Sequence, residues 1–118
     1  MKYLVLIFQD ERLGAELSTK EPESFKAMVQ EFMDYSASLQ AAKVLVSSNA
    51  LQPSSTATTV RIRNGKTTHT DGPFAETKEQ LGGYYLLDVP NLDEALKWAA
   101  KCPGAKWGSI EVRPIAGH

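Results

Sequence analysis

The segment Tyr3-Leu4-Val5-Leu6-Ile7-Phe8 is apolar at every position. It is too short for a membrane helix, which needs about 20 apolar residues. Gln9, Asp10 and Glu11 follow it without a small-residue cleavage site, unlike a secretory leader. Its content of Val, Ile and aromatic residues reads as a strand. Side chains alternate along a strand, so Tyr3, Val5 and Ile7 face one way and Leu4, Leu6 and Phe8 the other. Gly82–Val89 repeats the pattern, with Tyr84 and Leu86 opposing Tyr85, Leu87 and Val89. Strands apolar on both sides are buried on both sides. Whatever this chain folds into must therefore cover both faces of a sheet.

The remaining elements supply cover for one face. Asp10–Leu17 reads as a polar loop. Ser18-Thr19-Lys20-Glu21 has the spacing of a capping box and Pro22 suits a first helical turn. Phe25, Met28, Val29, Phe32, Ser36 and Leu39 then keep to one helical face as far as about Ala42. Val44–Ser48 is a second strand and Leu51–Thr56 a loop. Thr58–Arg63 and Lys66–Thr70 flank Asn64-Gly65, a strong hairpin signal because both turn residues need positive φ. Asp71–Phe74 is a turn, and Ala75–Gln80 suits a short helical stretch. Asn91 caps a second helix striped by Leu92, Ala95, Leu96 and Ala99, which Pro103 and Gly104 end; Ser109–Arg113 is the last strand. The order β-α-β, hairpin, β-α-β predicts an α+β ferredoxin-like sandwich with an inserted hairpin: an antiparallel sheet with two helices on one face. The second face then meets another copy, as a homodimer with sheets face to face. A ligand pocket on that face without dimerisation is the alternative.

Composition narrows the partners. At 118 residues the chain fits one domain. Lys and Arg total 13 against 14 Asp and Glu, a net charge of −1. A non-specific nucleic-acid binder would carry a basic excess. Cys102 is the only cysteine, so no disulfide closes within the chain, and a reducing cytoplasm fits. With only His69 and His118 as histidines, neither a metal centre nor a cofactor is expected.

Asp71-Gly72-Pro73-Phe74-Ala75-Glu76-Thr77-Lys78-Glu79-Gln80-Leu81-Gly82-Gly83-Tyr84-Tyr85 resembles the DGPF-motif branch of the YCII-related family. So do Ala50-Leu51-Gln52-Pro53, Thr58-Thr59-Val60-Arg61 and Gly108–Pro114. The resemblance implies a dimeric α/β barrel of ferredoxin-like type. It also implies association with extracytoplasmic-function sigma factors in some relatives, and action on ring compounds in a few. The His–Asp pair proposed as catalytic in shorter members falls here at Phe32 and Ala41, and a glycine that usually follows the helix becomes Lys43. A mechanism built on that pair does not carry over, and Phe32 reads as core.

Other groups must then carry any chemistry. Asp71 is the candidate proton acceptor or donor, the competing role being an Asx turn around Gly72-Pro73. Alternation puts His69 on its strand face, where the pair can pass a proton; an exposed strand histidine is the plainer reading. Glu76, Lys78, Phe74 and Tyr84 are candidate ligand contacts, set against a solvated charged segment and aromatic packing. Gly82-Gly83 admits a close backbone or ligand approach without a phosphate-loop pattern. Cys102, with no histidine close in sequence, reads as a buried or semi-buried thiol rather than a nucleophile. The expected function is a cofactor-independent enzyme acting by proton transfer on a small organic molecule, cyclic compounds included. The alternative is a non-catalytic ligand-binding or regulatory accessory module linked to sigma-factor signalling.

Overall fold

A computed structural model describes residues 1–117; His118 lies outside the described residues. Six strands and four helices follow in the order β1 (Lys2–Gln9), α1 (Glu11–Lys20), α2 (Pro22–Ala41), β2 (Leu45–Ala50), β3 (Thr58–Arg63), β4 (Lys66–Asp71), β5 (Gln80–Asp88), α3 (Leu92–Ala100), α4 (Gly104–Trp107) and β6 (Ser109–Pro114). A 3-10 turn, Ser54–Thr56, precedes β3. The main sheet is antiparallel with strand order β2-β5-β1-β6. This is the expected ferredoxin-like α+β arrangement, with the β3–β4 hairpin standing as a separate two-stranded sheet. Among the described residues no helix is long and apolar enough to cross a membrane.

Alternation organises the core. Tyr3, Val5 and Ile7 of β1 and Tyr85 and Leu87 of β5 are buried beneath Tyr35 and Leu39 of α2 and Ala95 and Ala99 of α3. Cys102 is buried in the same cluster. The opposite face carries Leu4 across from Leu86 and Leu6 across from Tyr84, all half-buried, with Phe8 at its end. Within one chain, therefore, helices cover only one of the two apolar faces.

Four local expectations are corrected. Asp10–Leu17 is not a loop: Asp10 accepts a hydrogen bond from the Arg12 amide at 3.0 Å and starts α1. Ser18 and Thr19 then lie inside α1, where their hydroxyls donate back to the Ala15 carbonyl, so they do not cap the next helix. Glu21 instead stands at the end of α1 and the start of α2, and Pro22 does occupy the first turn. Ala75–Gln80 forms no helix; Thr77 Oγ1 bonds the Glu79 carbonyl and Gln80 Nε2 bonds the Thr77 carbonyl, tying the segment into bends that lead straight to β5. Finally, α3 ends at Ala100, and Pro103-Gly104 opens α4 rather than ending α3.

Candidate functional site

Where β1, β2 and β5 end beneath α2, the sheet and helix leave a cavity of about 450 Å³. Two features hold it open. On α2, Ser36 stands where the apolar stripe would place a larger residue. On β5, Gly83 has no side chain to fill the edge, and a Cβ there would stand 3.0 Å from the Asn49 carbonyl oxygen of β2. A side chain there would require the Asn49 carbonyl to give by a few tenths of an ångström, so glycine favours the close approach of the two strands. Phe32 of α2 and Ile7 of β1 supply apolar wall.

The polar lining consists of hydroxyls and amides: Ser36, Ser48, Tyr84, Tyr85, Gln9 and Asn49. Among the described residues no charged side chain and no imidazole borders it. Ser36 Oγ donates to the Phe32 carbonyl at 3.0 Å and lies 2.8 Å from the Tyr85 hydroxyl. Either hydroxyl can be the donor in that pair; with the Ser36 proton turned to Tyr85, the phenol proton is left for a ligand. Burial pushes the Tyr85 phenol above the ordinary tyrosine range; the Ser36 bond opposes that shift and nearby Cys102 adds to it. The Tyr85 ring is held edge-on by Tyr35, centroids 5.1 Å apart, and Tyr35 is anchored by donating to the Trp98 carbonyl at 2.8 Å. On the open face of the sheet, Asn49 Nδ2 donates to the Tyr84 hydroxyl at 2.9 Å, which leaves the Tyr84 proton to be donated elsewhere.

The residues singled out from sequence are dispersed. Tyr84 lines this cavity. Asp71 and His69 do not: both are exposed on β4, on the same face as expected. The turn after Asp71 is set by backbone, with Gly72 N–H donating to the Ala57 carbonyl at 2.7 Å. Phe74 is 77% exposed and borders a separate apolar groove of about 480 Å³ with Phe8, Leu51 and Leu81. Glu76 and Lys78 flank a cleft of about 320 Å³ beside Glu11 and Arg12. Cys102 is buried as expected, and that burial raises its thiol pKa. Sequence reasoning missed Ser36, Ser48, Asn49 and Tyr85 as site residues and placed Phe32 wholly in the core. The one available signal was Ser36, a hydroxyl interrupting an otherwise apolar stripe.

An antiparallel four-stranded sheet with helices packed on one face, and a cavity between the two, defines a small α/β-barrel type of protein. Its sequence matches the YCII-related domain over residues 1–117, and the chain belongs to that family. An uncharacterised protein of Rhizobium meliloti (strain 1021) is 40% identical over 122 residues, covering 98% of this chain and 93% of that protein. Among solved structures, the 5-chloro-2-hydroxyhydroquinone dehydrochlorinase TftG of Burkholderia phenoliruptrix AC1100, in complex with 2,5-dihydroxybenzoquinone, shares the fold. Its TM-score is 0.53 at 12% identity, covering 100% of this chain and 96% of that one.

Proposed function

We propose that the protein is a cofactor-independent enzyme of the DGPF branch that binds a small, uncharged, ring-shaped organic molecule bearing hydroxyl or carbonyl oxygens in the cavity beneath α2. It works as a cytoplasmic homodimer in which two open sheet faces meet. The observation that carries the ligand class is the lining: hydroxyls and amides between Phe32 and Ile7, with no charged group to hold an ion. A volume of about 450 Å³ falls in the range of small-molecule sites. The fold neighbour TftG is a dehydrochlorinase named for a hydroxylated, chlorinated aromatic ring, which supports the same class.

Tyr85 serves this ligand as hydrogen-bond donor or general acid rather than as base, because the burial that raises its pKa opposes the phenolate. Tyr84, with its hydroxyl on the open sheet face, is a further ligand contact on that side. The proton acceptor is Asp71, with His69 beside it and Glu76, Lys78 and Phe74 as outer contacts; in its own chain this group stands away from the cavity. The uncharged lining also favours a second reading, a ligand-binding accessory module without chemistry.

Anaerobic hydroxyhydroquinone is a suitable probe, read by the shift in melting temperature. The wild type is expected to be stabilised, Tyr85→Phe less so, and Phe32→Trp, which fills the cavity, not at all. No shift in the wild type, or an equal shift in Phe32→Trp, removes the cavity as the site. Binding without any change in the probe's absorbance selects the accessory module over the enzyme.

A further inference from the structure

The β3–β4 hairpin is an arm with nothing beneath it. Every residue of the two strands except Thr59 is exposed. Its base is closed on itself, by the Gly72 amide on the Ala57 carbonyl and by Thr59 Oγ1 donating to the Gly72 carbonyl at 2.8 Å. A two-stranded hairpin alone is marginally stable in water.

The arm is two-faced. Register pairs Thr58 with Asp71, Val60 with His69 and Ile62 with Thr67, so these six share one side; Arg61, Arg63 and Lys66 lie on the other. Val60 is 58% exposed and Ile62 63%. The candidate proton-handling pair thus sits on the apolar side, the side that gains by burial.

Shape and charge identify what covers it. The chain measures 48 × 46 × 19 Å with a radius of gyration of 16.3 Å, whereas a compact domain of this length has about 13.5 Å. It is a flat slab with an apolar sheet face open on one side. Three cations against Asp71 alone give the arm a net charge of +2, which leaves −3 on the rest of a chain whose total is −1. Arm and body thus carry opposite net charge, which draws two copies together at long range while the cations stay on the arm's reverse side, and both parts are present on every copy, which suits a reciprocal two-fold contact.

We propose that the arm packs its Val60–Ile62 face against a second copy of this chain and that His69 and Asp71, on that face, meet the second copy rather than their own. This rests on the homodimer proposed above and adds what each partner contributes.

Sedimentation equilibrium at micromolar concentration tests it. The wild type is expected at twice the 13.0 kDa of one chain. A Val60→Glu/Ile62→Glu variant, with circular dichroism unchanged because both sites are exposed, is expected to dimerise at least about 100-fold more weakly, since buried unpaired carboxylates are costly. A dimeric wild type with an equally tight variant overturns the arm contact and leaves the dimer standing. A monomeric wild type overturns both. Should the variant misfold, limited trypsinolysis of the wild type decides: cleavage at Arg61, Arg63 and Lys66 slows as concentration rises through the dimerisation range, and a rate independent of concentration refutes the docking.

Discussion

Lys43 sits at φ +60°, a left-handed conformation that costs a non-glycine residue about 1–2 kcal/mol. It ends α2 in a Schellman arrangement, with Lys43 N–H donating to the Gln40 carbonyl at 3.0 Å and Val44 N–H to the Leu39 carbonyl at 3.2 Å. The glycine that the family resemblance implies at this position agrees with that conformational demand. Lys43→Gly should raise stability by about 1 kcal/mol, read as a higher urea midpoint with unchanged slope. At the same scale the candidate site was only partly legible. Tyr84 was visible as an aromatic on a strand, but Tyr85 and Ser36 become partners only because β5 and α2 cross, 49 residues apart in sequence.

Among the elements, the strands and hairpin were the most legible, because period-two alternation and Asn64-Gly65 are local signals. α1 was not. It buries no residue and contains Gly14, so neither an apolar stripe nor strong propensity announces it. Long-range contacts fasten it instead. Glu11 N–H donates to Gln80 Oε1 at 3.0 Å, and the Glu11 carboxylate accepts from the Ser54 amide at 2.7 Å and the Ser54 hydroxyl at 2.6 Å. These bonds tie the start of α1 to the loop that launches the arm. Glu11→Ala should cost about 1–2 kcal/mol and speed amide hydrogen exchange over residues 51–57 while leaving the sheet protected. Unchanged exchange in that loop would show that the carboxylate is not what holds it.

For the whole molecule, burial of three acidic protons beneath the helices sets an alkaline limit. Desolvation raises the pKa of Tyr35, Tyr85 and Cys102 in the folded chain. The folded state thus favours their protonated forms. Their contribution to stability is complete below the unfolded values, about 8.5 for the thiol and about 10 for the phenols, and is lost as pH rises from there through the folded values. Melting temperature should fall first from about pH 8.5, and Cys102→Ala should remove that first part while keeping the later one. A melting temperature flat to pH 11 would contradict the burial. The sequence by itself determined the element types of the sheet, the two faces of its strands and the need for cover on both, because alternation and turn chemistry act over a few residues. Only the tertiary structure decided which face the helices take, that Ser36, Tyr85 and Gly83 enclose a cavity, and that His69 and Asp71 stand apart from it on an arm. Those depend on contacts between segments far apart in the chain, which no local pattern encodes.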